Sequence, residues 1–211
     1  LEQYHLLDSL LTQGLTFNKE HPQLSLLRAK SQLSQEQYGD VVTTINRLLE
    51  SNDTIPSYAR LLGVSYFQLN QYDKVLPCME FLLRSGAKAD WIYYYMGVAY
   101  QQLKDIPNSI TYLNLAIEEG ISDNIGTYYT QLAMSFEEAK DFKKAIKYYK
   151  AAYETSKSDI LLYHLARNYD TFYKDKTQAI EYYKRYLNSD DTIKVAKEYS
   201  QYRIKALKEL R

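Results

Sequence analysis

Glu137 and Glu138 are adjacent carboxylates in a stretch of helical periodicity, the residue type that general acid–base catalysis uses in pairs. Neighbours on a helix project about 100° apart, so the two cannot address one substrate atom, and they read as a solvated acidic rim. The three histidines, His5, His21 and His164, lie 16 and 143 residues apart, without the i, i+4 pairing or neighbouring cysteine of a metal site. Solvated or capping roles are expected for them. Cys78 is the only cysteine, which excludes an intramolecular disulfide and a multi-cysteine metal site; it reads as a small apolar filler on a helix. The chain carries no GxSxG, no glycine-rich phosphate loop and no acidic calcium loop. The expectation is a chain with no catalytic residues, no cofactor and no metal, and therefore not an enzyme.

What positions these residues is dictated by an unusual composition. Tyrosine supplies 23 of 211 residues, whereas glycine and proline number only 7 and 4, which favours long helices over turn-rich β architecture. Lysine plus arginine equals aspartate plus glutamate, so nothing in the net charge advertises a polyanionic partner. No apolar run approaches the ~18 residues a membrane span needs, and a soluble chain is expected. The chain begins with Leu1 rather than Met, consistent with a trimmed or processed protein, so an exported or periplasmic location stands beside a cytoplasmic one.

Self-similarity then fixes the organisation. Small residues fall at Ala29, Gly63, Gly97, Ala133 and Ala166, at steps of 34, 34, 36 and 33. Val42, Leu76, Ile110, Ile146 and Ile180 step by 34, 34, 36 and 34, and Ile45, Met79, Leu113, Tyr149 and Tyr183 repeat those steps three residues later. Leu48, Leu82, Ala116, Ala152 and Tyr186 follow three further on. Within each unit two apolar stretches of helical period flank a short polar turn, which makes each unit a helical hairpin. Gly63 and Gly97 sit where the first helix must cross the second closely, and Tyr66, Tyr100, Phe136 and Tyr169 place a ring almost one turn along the same face.

These residues resemble the tetratricopeptide repeat family, in which an aromatic, Leu-Gly, Tyr, Ala and a second aromatic recur in order. Tyr129, Leu132, Ala133, Phe136, Ala145 and Tyr149 carry the pattern best. The segment 22–53 is degenerate, with Gln32 where a ring is expected. The proline that often closes a unit is absent, so other local chemistry must set the turns between units. Residues 120–126 carry two extra residues and two glycines, an expected point of altered twist, and the fifth hairpin turn is one residue longer. Pro77 lies inside a second helix, where a lost hydrogen bond costs about 3 kcal/mol, so that helix is expected to start late or kink.

The resemblance implies an all-α, right-handed α-solenoid in a single domain over 1–211. It comprises a partial repeat or cap helix at 1–20, with Leu6, Leu7, Leu10, Leu11 and Phe17, about five repeats over 22–190, and a capping helix at 191–211. It also implies that the first helices line a concave groove. Within the run Tyr93, Tyr94, Tyr95, the first is expected in the core, the second in the groove and the third at a seam toward a neighbouring unit or partly in solvent. Arg60, Val64, Phe67, Trp91, Tyr94, Val98, Gln101, Met134, Glu137, Tyr163 and Arg167 form the candidate partner-binding set, extended by Asp170 and Gln102 among others. Trp91 and Phe67 have a second reading, as packing between repeats. The implied function is a non-catalytic scaffold that binds a peptide or partner helix. The places that hold a carboxylate clamp in a chaperone-binding branch of the family carry Arg60, Val64, Tyr95, Thr127 and Gln131 here, so that clamp is not expected.

Two other functions stay open. One is a self-assembly element built on the capping helices or the outer wall. The other is nucleic-acid contact through the C-terminal third, because residues 157–211 sum to +4 against −4 for 1–156; interleaved acids there favour a solvated face instead. No small-molecule substrate and no membrane insertion are expected, and a monomer is favoured. Residues 169–187 also resemble repeats of bacterial envelope-associated members.

Overall fold

The computed structural model describes residues 9–14, 16, 21–50, 54–120, 123–190 and 193–209. Residues 9–14 are helical, with Leu11 buried and Leu10 exposed. The rest of the expected leading helix, including His5, Leu6, Leu7 and Phe17, lies outside the described residues. Eleven further helices follow among them: α1 (Pro22–Ser34), α2 (Tyr38–Leu49), α3 (Pro56–Gln68), α4 (Tyr72–Arg84), α5 (Asp90–Gln102), α6 (Ile106–Glu119), α7 (Ile125–Glu138), α8 (Phe142–Ser156), α9 (Ile160–Phe172), α10 (Thr177–Leu187) and α11 (Lys194–Glu209). No strand occurs among the described residues.

Two compact units result, Leu1–Leu103 and Lys104–Arg211. In the first, consecutive helices from α1 to α5 pack on one another in chain order, and α1 also touches α3. In the second, α6 to α11 do the same. The 34-residue register is a register of burial. Ile45, Met79, Leu113, Tyr149 and Tyr183 are all fully buried, as are Ala29, Ala133 and Ala166. The series Leu48, Leu82, Ala116, Ala152, Tyr186 is buried throughout. One residue before the expected series Val42, Leu76, Ile110, Ile146, Ile180 lies the deeper one: Val41, Val75, Ser109, Ala145 and Ala179 are completely inaccessible, whereas Val42, Leu76 and Ile110 are only half-buried.

The elbows inside the hairpins repeat as backbone, not as side chains. Glu36, Asn70, Lys104 and Lys140 all adopt left-handed φ, between 53° and 67° with Lys157. In three of these elbows the following amide reaches back to the last helical turn: Gln37 N donates to Gln32 O, Gln71 N to Tyr66 O and Asp141 N to Phe136 O, each at 2.9 Å. That pattern satisfies helix carbonyls that would otherwise lack partners. Between units, where proline is absent, Gly86 at φ 88° and Lys157 at φ 53° end α4 and α8 in the same left-handed way. Pro22, Pro56 and Pro107 open α1, α3 and α6, where a missing amide hydrogen costs nothing. Pro77 departs from expectation: α4 begins at Tyr72 in register with its neighbours and runs through Pro77. Pro77 and Asp73, whose carbonyl loses its amide partner, are both exposed residues.

Gly63 marks a close crossing of α3 and α4. A Cβ built there would lie 2.2 Å from Met79 Cε and 3.1 Å from Cys78 Cβ. In place of the missing ring in the first hairpin, Gln32 Oε1 accepts from Thr44 Oγ1 at 2.9 Å across the helix pair. Burial pushes the Cys78 thiol up to about 11, which makes it an inert packing group.

At the C-terminal end, Leu207 and Ile204 of α11 pack into a cluster with Ala166, Ala179 and Tyr183. Ala196 joins Leu162 and Tyr186. Ile193 is exposed rather than part of that buried face.

Candidate functional site

The first unit brings five of the candidate residues together on α3 and α5, the first helices of the second and third hairpins. The Arg60 guanidinium lies 5.4 Å from the centre of the Trp91 ring. Two turns along α3, Phe67 stacks on Tyr95 at 4.4 Å and 22° and approaches Tyr94 at 6.4 Å. Trp91 meets Tyr95 edge-on at 5.8 Å, and Tyr72 of α4 meets Phe67 edge-on at 5.9 Å. The rings therefore form one connected sheet of aromatic contacts, each half-buried, with the exposed Arg60 at one end and half-buried Val64 beside them. Burial pushes the Tyr94 hydroxyl up, with Tyr95 and Tyr72 adding to it; burial also raises Tyr95, with Tyr38 adding and Arg60 opposing. Both hydroxyls remain hydrogen-bond donors at neutral pH.

The tyrosine run resolves differently from expectation at its first member. Tyr93 is half-buried, and Ile92, Met96 and Ala99 supply the buried stripe of α5, in register with Tyr58 and Tyr128. A branched aliphatic chain fills that depth without carrying a hydroxyl that must find a partner. Tyr95 does occupy a seam between hairpins, through Phe67. Val98 and Gln101, placed in the same candidate set, are buried at 6% and 4% exposure. They continue the row of Trp91 and Tyr94, not the Ile92, Met96 stripe, so the C-terminal half of α5 is covered on this face too and they present nothing to a partner in this structure.

In the second unit Glu137 is a hub, not a rim. Its Oε2 accepts from Tyr149 Oη at 2.7 Å and from Asn168 Nδ2 at 3.0 Å, and its Oε1 lies 3.6 Å from the Arg167 guanidinium. Tyr149 comes from α8 and Asn168 and Arg167 from α9, so one carboxylate joins three helices. Burial and the Glu137 charge push the Tyr149 hydroxyl up and keep it a donor. Glu138 is not free either, since it pairs with Lys104 at 2.8 Å. The expected solvated acidic rim therefore holds for Glu138, which is exposed and paired at the surface, and fails for Glu137. His164, expected to be solvated or capping, stacks on Tyr149 at 5.1 Å and meets Tyr163 edge-on at 5.8 Å. Its burial holds the imidazole below its ordinary value. His21 stands at the N-cap position of α1 without a side-chain cap bond.

Of the remaining candidates, Met134 is 37% exposed and Arg167 lies 5.7 Å over the Tyr163 ring. Tyr163 itself packs edge-on against Tyr199 of α11 at 6.0 Å. Asp170 is buried under α11, where Arg203 Nε and Nη2 donate to its two oxygens at 2.8 and 2.9 Å. Sequence reasoning missed Tyr72, Asn168 and this ion pair. Asn168 alone left a trace: it stands in a buried series with Ser31, Ser65, Ala99 and Ser135, at steps of 34, 34, 36 and 33. Among the described residues, no group of His, Cys, Asp and Glu could hold a metal ion, and no helix is long and apolar enough to cross a membrane.

Residues 126–159, the α7–α8 hairpin with its flanks, match the family model described as tetratricopeptide repeat. No curated protein matches the sequence. Among solved structures, YrrB, described as a tetratricopeptide-repeat protein with an unusual peptide-binding site, is 17% identical; the match covers 90% of this chain and 97% of that one at a TM-score of 0.73. MamA from Desulfovibrio magneticus RS-1, residues 41 to the end, is 14% identical over 81% of this chain and 97% of that one, at 0.71. The C-terminal part of a tetratricopeptide-repeat protein from Cytophaga hutchinsonii is 17% identical over 81% and 67%, at 0.68. One tetratricopeptide repeat is thus recognised, at residues 126–159, and the hairpins before and after it keep its register within an all-helical fold similar to that of these neighbours.

Proposed function

We propose that this chain is a non-catalytic module that binds a protein segment on the α3–α5 face, with Arg60, Val64, Phe67, Trp91 and Tyr94 as its contact residues. The observation that carries this reading is the connected aromatic surface with a guanidinium at its edge. Half-buried rings held by their neighbours lose little rotamer freedom on binding, and arginine and large aromatics dominate the energetics of protein interfaces. Trp91 and Phe67 pack across repeats and are only half-buried, which is compatible with their also meeting a partner. Met134 and Arg167 form a separate, smaller candidate surface in the second unit. A neighbour in fold, YrrB, is described as having a peptide-binding site, which supports the class of ligand and not its identity.

Peptides selected from a displayed random library on the wild-type protein provide the test. Their affinity for Trp91→Ala/Tyr94→Ala, with circular dichroism confirming the fold, should fall by about thirtyfold, the effect of losing about 2 kcal/mol of hot-spot contact. The exposed Arg60→Gln change should weaken the same peptides with no effect on helicity. Equal affinity across the three proteins would remove this face from consideration.

Self-association is a second reading with its own observation. On α11, Val195, Tyr199 and Tyr202 form an i, i+4, i+7 row at 74%, 39% and 66% exposure. Sedimentation equilibrium of wild type beside Val195→Lys/Tyr202→Lys tests it, since only an α11-driven dimer would dissociate on substitution.

A further inference from the structure

A second surface is built on the second helices of the fourth and fifth hairpins. Between α8 and α10 there is a cavity of about 340 Å³ floored by Leu165 and walled by Tyr153 and Tyr182. Lys150, Lys157 and Arg185 stand around it, with Glu154 as the one carboxylate. These cations rest on rings instead of acids. The Lys157 ammonium lies 5.5 Å from the centre of Tyr153; the Arg185 guanidinium lies 5.6 Å from Tyr153 and 5.2 Å from Tyr182; Lys150 lies 5.3 Å over Tyr169. Among the described residues none of the three is in an ion pair. Along α8 the same side continues through Lys147, which lies 5.2 Å over Tyr148, to the exposed Lys143.

A π face attracts a cation and restrains its stem, yet it leaves the positive charge intact. The result is a row of ordered, unneutralised charges around a concave site, which lowers the ordering cost of pairing each with an anion. We infer that this pocket and the adjoining α8 ridge bind an acidic protein segment. One Asp or Glu side chain enters between Lys150, Lys157 and Arg185, and flanking acids pair with Lys147 and Lys143. Nucleic acid fits less well, because Tyr153, Tyr169 and Tyr182 already carry cations on the faces that bases would stack on, and the chain has no net positive charge. This site is independent of the α3–α5 face.

The probe is a fluorescein-labelled 12-residue peptide of alternating Glu and Ala, with a Gln/Ala counterpart and a single-stranded oligonucleotide as comparators, followed by anisotropy at low and physiological salt. The Glu peptide should bind and the Gln peptide should not. Lys150→Glu/Arg185→Glu should weaken binding by about tenfold, from the loss and reversal of two partly exposed charge contacts. The charge-matched Lys30→Glu/Lys74→Glu change in the first unit should leave it within about threefold, since neither lysine lines the pocket or the α8 ridge. Tyr153→Leu keeps every charge but removes the ring beneath Lys157 and Arg185, and should weaken binding severalfold; circular dichroism confirms that each variant folds. The inference is overturned by no binding of the Glu peptide, by equal losses in the two charge reversals, by an unchanged Tyr153→Leu protein, by tighter binding of the oligonucleotide, or by loss of the Glu peptide in Arg60→Gln.

Discussion

Removing Arg203 should loosen the last helix more than any other single surface-derived charge in the second unit. Its partner Asp170 has a side chain only 7% exposed, while the Arg203 side chain is 27% exposed. Arg203 makes two charge-assisted hydrogen bonds to that carboxylate, at 2.8 and 2.9 Å, and this pairing raises the guanidinium further above its ordinary value. With Arg203→Gln the carboxylate keeps the Tyr183 hydroxyl at 3.4 Å and the Lys176 ammonium at 3.7 Å. Breaking a fully buried pair costs about 3–5 kcal/mol; the partial exposure of Arg203 and the remaining ammonium bring the expected loss to about 2 kcal/mol. Asp170→Asn leaves a partly exposed guanidinium that water can reach, so its cost should be nearer 1 kcal/mol. The double variant should cost less than the sum of the two. Urea unfolding followed by helix ellipticity measures the totals, and amide hydrogen exchange locates them, since repeat proteins open from their ends and α11 amides should lose protection first. A loss below about 0.5 kcal/mol for Arg203→Gln, a larger cost for Asp170→Asn, or strict additivity would refute the reasoning.

Gly63→Ala should destabilise the first unit by about 1–3 kcal/mol, because its methyl would meet fully buried Met79 Cε at 2.2 Å. Adding Met79→Val, which lacks that terminal methyl, should recover part of the loss in urea unfolding; a worse double variant would contradict the assigned crossing. For His164, a base whose folded value lies below 6.5 binds fewer protons folded than unfolded. Stability therefore rises with pH through that window and is lost as pH falls below about 6.5. Glu137 opposes this depression and Arg167 adds to it. Urea midpoints between about pH 5 and pH 7 should vary less in His164→Gln than in wild type, and an equal slope in both would show that other groups govern the acid limb.

How far the sequence could be read depends on how local each contact is. Helical spacing at 34-residue steps located the buried series through Ile45, Met79, Leu113, Tyr149 and Tyr183 without error, because period and burial are the same constraint on an amphipathic helix. It misplaced Tyr93 against Ile92, since one residue is a rotation of about 100° and both side chains are apolar enough to satisfy the pattern. The Arg60–Trp91 and Phe67–Tyr95 contacts join residues about one repeat apart, so a repeat register implies that they are near but not how the rings meet. Glu137 was illegible: its donors come from Tyr149 and Asn168, 12 and 31 residues away, and neither is marked as a carboxylate partner by its own helix. The lysines over tyrosines were equally silent, because charge runs on a helix read as solvated whether or not rings lie beneath them.

The left-handed elbows at Glu36, Asn70, Lys104 and Lys140 have a consequence for how such a chain can change length. Three different side chains over four positions, none of them glycine, occupy one and the same bend, so the bend belongs to the main chain and tolerates varied surface chemistry. A helical pair copied from one place and spliced into another would arrive with its junction already built, and growth by duplication would need no compensating changes at the corners. The fifth corner, with its additional residue at 173–176 and its lysine bonded to the carbonyls of Asp170 and Tyr173, is the one that could not be exchanged in this way.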